Sequence, residues 1–127
     1  MSALSAGKAI YSLLSADETL KRMTKKMFPV VADNAPLPYI AFRRVSLTSV
    51  PQKQGMGADT VHMEVNVFTE EYEEGIEIAE NVRTVLECYS CREVADMLLR
   101  SCYLEASEET WGDDAYVQRL VFCVKIQ

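Results

Sequence analysis

Cys88 and Cys91 stand in the run Cys-Tyr-Ser-Cys, the one spacing in this 127-residue chain that suggests thiol or metal chemistry. At a helix N-terminus such a pair gains an acidified thiol. Here it follows a helical pattern, where the negative end of the dipole disfavours a thiolate. A structural zinc site would need two further ligands. Cys102, Cys123 and His62 are available but show no paired spacing. Cys102 and Cys123 fall on the two strands of one hairpin, where they could face each other, and read as packed thiols. His62, the only histidine, alternates with core valines and has no obvious carboxylate or nucleophile beside it. The expectation is no catalytic residue, no metal and no cofactor.

Glu70, Glu71, Glu73, Glu74, Glu77 and Glu80 form the other conspicuous cluster. Metal sites need carboxylates that converge, whereas these spread along one flank of a helix as a solvated acidic face. The arginine pair Arg43 and Arg44 sits on a strand, so its two side chains face opposite ways. One must turn toward the covered face of a sheet or toward a partner. Trp111 and Met56 read as partner contacts, because Trp and Met are enriched at interfaces.

These residues need a frame. Ala3, Ala6, Ile10, Leu13 and Leu14 keep helical spacing, and Ser15-Ala16-Asp17-Glu18 has the form of a capping box. That box opens a second short helix carrying Leu20, Met23 and Met27 inward. Phe28-Pro29-Val30-Val31 reads as a short edge strand. Pro36 and Pro38 hold the chain extended ahead of a strand from Tyr39 to about Val50. The segment from Gln52 to Asp59, with two glycines, is expected to be mobile in an isolated subunit and ordered on assembly. Val61, Met63, Val65 and Val67 alternate with polar neighbours as a half-buried strand. Thr69 then caps a helix to about Cys88, presenting Tyr72, Ile76, Ala79, Val82, Val85 and Leu86 inward. A strand from about Leu98 to Ser107, a turn at Trp111-Gly112-Asp113-Asp114 and a strand from Tyr116 to Ile126 close the chain. On the last strand Tyr116, Leu120, Phe122, Val124 and Ile126 share a face, opposite Arg119 and Lys125. Gly75 breaks helix propensity without a reason visible in the sequence. The expected fold is one α+β domain over residues 1–127: an antiparallel sheet of about four main strands, helices on one face, in the order α-α-β-β-β-α-β-β.

Net charge is −6, unevenly spread. Residues 1–63 carry eight Lys or Arg against four Asp or Glu, a balance of +4; residues 64–127 carry five against fifteen, a balance of −10. That distribution is unsuited to tight phosphate binding overall. It suits a surface that meets a copy of itself head to tail. No apolar run approaches the roughly 20 residues of a membrane span, and Lys8 interrupts the opening stretch, so no export leader is expected.

In order and residues the chain resembles the small phage and prophage tail-completion (tail terminator, head-tail joining) family. The carrying features are Leu13-Leu14-Ser15-Ala16-Asp17, Met27-Phe28-Pro29 and Ala35-Pro36-Leu37-Pro38-Tyr39-Ile40. With them go Val65-Asn66-Val67-Phe68-Thr69 leading into Tyr72, Ile78-Ala79, Val82 and Val85-Leu86, then Glu105, Glu108, Trp111-Gly112-Asp113 and Tyr116 through Phe122. Trp111-Gly112-Asp113-Asp114 stands where the family more often reads Tyr-Asp-Pro-Asp, and the Cys88–Cys91 stretch lies outside its pattern. The resemblance implies a virion structural protein rather than an enzyme: a homo-oligomeric, six-membered ring that ends the tail tube at its head-proximal end; the alternatives are a cytoplasmic α+β ligand- or protein-binding module and, behind it, a Cys-x-x-Cys redox or metal protein. Tail-tube and head-connector proteins are then its partners. DNA passes through the ring without sequence-specific binding, no membrane is involved, and the subunit moves from the bacterial host cytoplasm to the virion tail. The expected contact residues are Arg43 and Arg44 on the basic side, Glu70, Glu71, Glu74 and Glu77 on the acidic side, and Gln52, Lys53, Met56 and Trp111.

If the Cys-x-x-Cys pair holds no metal, Cys88→Ser with Cys91→Ser leaves folding and assembly unchanged. Stoichiometric zinc in protein purified without chelators, lost in this double variant, would show otherwise.

Overall fold

The computed structural model describes residues 3–29, 35–49 and 59–127. A 3-10 turn, Ala3–Ser5, leads into α1 (Ala6–Ala16) and α2 (Glu18–Met23). There follow β1 (Lys26–Pro29), β2 (Tyr39–Ser49), β3 (Asp59–Thr69), α3 (Tyr72–Leu86), β4 (Arg92–Val94), β5 (Met97–Gly112) and β6 (Ala115–Ile126). The α+β class and the helical layer stand, but among the described residues the sheet has six strands, ordered β1-β2-β3-β6-β5-β4. It is also mixed: β1 runs parallel to β2, while the other pairs are antiparallel. Three residues are too few for a periodic signal, which is why β4 is invisible in the sequence.

Asp17, not Ser15, caps α2: its carboxylate accepts from the Leu20 N–H at 3.0 Å. The helix stops at Met23 because the Thr24 backbone turns extended, at φ −123° and ψ 150°, while its hydroxyl donates to the Leu20 carbonyl at 2.9 Å. Met27 therefore lies on β1 rather than on the helix. The Lys25 N–H donates to the Pro38 carbonyl at 2.8 Å and starts the parallel pairing Lys26↔Tyr39. Of the expected strand Phe28–Val31, Val30 and Val31 lie outside the described residues, as do residues 52–58 and Val50.

The core forms where α1, α2 and α3 cover one face of the sheet. Ala6, Ile10 and Leu14 from α1, Leu20 from α2, and Val61, Met63, Val65 and Val67 from β3 are all buried. Fully burying one such aliphatic side chain contributes about 1.5–3 kcal/mol. On β6, Leu120, Phe122, Val124 and Ile126 are buried as expected, joined by Gln118, and Tyr116 is only half-buried. The closing hairpin is longer than expected. Asp113 and Asp114 both adopt positive φ, 53° and 61°, giving a tight two-residue turn that lets pairing continue to Gly112↔Ala115. Trp111 is thus a strand residue paired with Tyr116.

α3 is rotated from its expected phase. Glu71 is its N-cap residue, and the Thr69 hydroxyl donates to the Glu71 carbonyl at 2.8 Å instead of capping an N–H. The inward face is Gly75, Ile78, Ala79, Val82 and Leu86, with Tyr72 42% exposed. Gly75 sets that phase, because a Cβ there would stand 2.9 Å from Thr69 Oγ1 and 3.5 Å from Gln118 Cγ. The residue that weakens the helix lets it lie against the ends of β3 and β6.

Gly75→Ala therefore sets a propensity gain of about 1 kcal/mol against overpacking of about 1–3 kcal/mol. Thr69 is held by its own hydrogen bond and cannot yield freely. The expected result is a lower melting temperature; a higher one would mean that the contact relaxes without cost.

Candidate assembly surfaces

The helices leave the other face of the sheet open, and charge is sorted across it in cross-strand rows. Arg43 (β2), Glu64 (β3) and Arg119 (β6) occupy neighbouring register positions, with Glu108 of β5 opposite Arg119. Glu64 is 5% exposed. Its Oε1 accepts from Arg119 Nε at 2.6 Å and from Asn66 Nδ2 at 3.1 Å, and its Oε2 lies 2.8 Å from Arg43 Nη2 as an ion pair. Arg119 Nη1 also donates to Glu108 Oε1 at 3.0 Å. Burial alone raises the Glu64 pKa. The bonds from Arg119 and Asn66 and the charges of Arg43 and Arg119 outweigh it and hold the carboxyl below its usual value.

The arginine pair divides as its strand position requires. Arg43 takes the open face, and Arg44 turns to the helical side, where its Nη1 donates to the Leu4 carbonyl at 2.8 Å. Arg43 is therefore committed to Glu64 within the chain. Reversing it to glutamate would bring a second carboxylate against a buried one, so that change tests folding more than assembly.

The acidic flank is as exposed as its pattern suggests. Glu70, Glu71, Glu73, Glu77 and Glu80 are exposed and Glu74 half-buried, and none forms an ion pair among the described residues. The outer half of β5 adds to this acidic side: Glu105 through Gly112 are all exposed. Glu109 anchors that half to the helical layer, accepting from Tyr72 Oη and from Gln118 Nε2, each at 2.7 Å. Trp111, 58% exposed, sets its ring at 61° to that of Tyr116, the centroids 4.6 Å apart. Tyr72 packs on the same ring at 5.6 Å. At the opposite edge Leu4, Tyr11, Met27, Pro29 and Phe42 line an apolar groove of about 560 Å³. Leu4 and Tyr11 remain 64% and 47% exposed above it. Lys25 and Lys26 are exposed at the same edge. Gln52, Lys53 and Met56 lie outside the described residues.

The groove, the Tyr72–Tyr116–Trp111 cluster and the role of Glu64 were not found by sequence reasoning. The one available signal was Tyr11 on the polar side of an otherwise amphipathic α1, with Leu4 in the turn before it. The cysteines also differ from expectation. Cys102 pairs in register with Val124 and Cys123 with Tyr103, so the two thiols lie on opposite faces of the sheet. Cys102 is in the core, where burial pushes its thiol up to about 12. Cys88 bridges to Cys102 through main-chain bonds of 2.8 and 2.7 Å. Its thiol is lowered by hydrogen bonding at Ser90 and by the Arg92 charge, against the dipole expectation. His62 does have a carboxylate partner, Glu105, at 2.8 Å.

Because Glu64 has a lower pKa folded than unfolded, it adds stability above the unfolded value, and that stability is lost as pH falls through the folded value. Glu64→Gln is expected to cost roughly 1.5–3 kcal/mol at neutral pH, the range for hydrogen bonds to charged groups. The deficit should shrink well below the ordinary carboxylate pKa of about 4.3. Urea midpoints of both proteins near neutrality and in acid test this; an equal deficit at both would remove the proposed linkage.

Comparison with known proteins agrees with this arrangement of helices and sheet. The family model described as "Tail completion protein gp17" matches residues 8–122. Among solved structures, a chain from the "Virion of native gene transfer agent (GTA) particle" superposes with a TM-score of 0.80 at 18% identity, covering 98% of each chain. No curated protein matches the chain. With nearly its whole length inside the family match, this chain is a member of the tail completion protein gp17 family, structural proteins of the phage tail.

Proposed function

We propose that the chain is a tail-completion subunit that assembles with copies of itself into a closed ring, six-membered by family analogy, at the head-proximal end of the tail. The family match across residues 8–122 carries this reading. The subunit acts by assembly rather than catalysis, with tail-tube and head-connector proteins as further partners and DNA passing through the bore.

A ring needs a heterologous contact, in which one patch meets a different patch on the next copy. The two ends of the sheet differ in that sense. The β1–β2 edge offers Lys25, Lys26 and Arg44 beside the apolar groove. The β5 side offers the outer half of β5 and the aromatic cluster at Trp111, and α3 offers its exposed glutamate flank, Glu70, Glu71, Glu74 and Glu77 among them. Exposed ion pairs give only about 0–1 kcal/mol each. Charge therefore sets the partner's orientation, and Leu4, Tyr11, Tyr72 and Trp111 supply the apolar area. The subunit is made in the host cytoplasm and ends in the virion tail.

Lys25→Glu with Lys26→Glu should weaken oligomers at low salt and leave the monomer folded; so should Glu73→Lys with Glu77→Lys. A chain carrying all four changes should recover assembly. Light scattering over a concentration series, with negative-stain images, reads the outcome. Assembly of every variant at parental strength would sink the charge-oriented contact, and tail particles that mature normally without this protein would sink the tail-completion role.

A further inference from the structure

A row of side chains crosses four strands on the open face: Ser46 of β2, His62 of β3, Cys123 of β6 and Tyr103 of β5 are successive register partners. The β5–β6 register shifts between Leu104 and Ala106, leaving Glu105 as the extra residue of a bulge beside that row. A bulge re-aims the side chain it carries, and here the Glu105 carboxylate reaches His62 Nε2 at 2.8 Å. The donor atoms of His62, Glu105 and Cys123 all lie within 4.8 Å of one another. We propose that these three residues form a binding site for a divalent transition metal of the zinc type.

The donor chemistry selects the ion. A thiolate, an imidazole and one carboxylate suit zinc rather than calcium or magnesium, which take oxygen ligands. Metal–ligand bonds of about 2.0–2.3 Å put tetrahedral donors about 3.5 Å apart, so closing the site takes side-chain shifts on the order of 1 Å. Cys123 is 3% exposed and its thiol points to the same place as the more open His62 and Glu105 side chains, which are 28% and 47% exposed. An ion can therefore enter from solvent and be gripped by a buried sulfur. Ser46 Oγ stands 3.1 Å from His62 Nδ1 and fixes the ring with Nε2 toward the other donors, the kind of outer contact that orients a metal-bound imidazole. Binding releases the Cys123 thiol proton and any proton held between Nε2 and Glu105, and three bonds to the ion replace them. Water fills the fourth position.

None of the other cysteines offers this. Cys102 is on the helical side of the sheet, and Cys88 and Cys91 gather no histidine or carboxylate set among the described residues. The bland alternative is a cross-strand ion pair beside a packed thiol.

Titrating the chelator-treated full-length chain with cobalt separates the two. The expected result is saturation near one ion per chain, with a thiolate-to-cobalt charge-transfer band and a tetrahedral visible spectrum, both erased by added zinc. Cys123→Ser should abolish the band, and Cys88→Ser with Cys91→Ser should keep it. Should Cys123→Ser fail to fold, Glu105→Gln alters an exposed side chain and is expected to weaken binding roughly tenfold or more. No band near stoichiometric cobalt, a band that survives Cys123→Ser, unweakened binding in Glu105→Gln, or a band that disappears with Cys88 and Cys91 would each overturn the site.

Discussion

From Asp59↔Ile126 to Thr69↔Tyr116, β3 and β6 pair without a single register shift. Their helix-side residues, Val61, Met63, Val65, Val67, Leu120, Phe122, Val124 and Ile126, are at most 3% exposed. A slip of one residue would carry this apolar row to the open face and push Glu64 and Arg119 beneath the helices. No plausible local gain offsets that exchange. The central ladder is thereby fixed, and irregularity is displaced to its flanks: β2 shifts between Arg44 and Ser46, β5 between Leu99 and Ser101 and again between Leu104 and Ala106. The phase of α3 depends on the same ladder, since Gly75 rests on Thr69 and Gln118 at its end.

Much of this ladder is legible in the sequence, because a two-residue alternation such as Val61, Met63, Val65, Val67 has one interpretation when one face is covered. The amphipathic α1 is legible for the same reason, at its own period. What escaped reading follows from effects that carry no period. A three-residue strand gives no alternation, so β4 stayed hidden. A glycine chosen for close approach looks like a propensity error, and the pattern alone puts Tyr72 on the inward side of α3, where it is instead exposed. Bulges break the parity on which face assignment rests. Across the extra residue Glu105, parity along β5 inverts, so Glu108 joins Arg119 on the open face while Tyr103 and Cys123 share it too. Without that inversion in view, Cys102 and Cys123 look like neighbours, and His62 looks alone.

The open face and the edges handle charge differently. On the face, Glu64 is enclosed by Arg43, Arg119 and Asn66, and its charge is satisfied inside the chain. A buried carboxylate needs such enclosure to remain ionised. Along α3 the glutamates have no internal cation among the described residues. Charge that is balanced internally serves the fold, and charge left unbalanced at the periphery is available to an assembly. The arginine pair, prominent in the sequence, contributes to the first class through Arg43 on Glu64 and Arg44 on the Leu4 carbonyl, while both side chains stay exposed.

The outer half of β5 pairs with β6 on one side and, among the described residues, has no strand partner on the other. Beyond its pairing with β4, the Cys88–Cys102 bridge and the Glu87 carboxylate on the Leu104 N–H, that edge exposes main-chain groups to an extended partner such as a second β5. Two such edges meeting about a two-fold axis would bring Glu105, Glu108 and Glu109 of one copy against the same residues of the other. Like charges set directly opposite across a strand pair are destabilising, and charged edges are a known guard against such pairing. The edge thus rejects its own image. Such an edge guards the single chain against strand-to-strand pairing with its own copies.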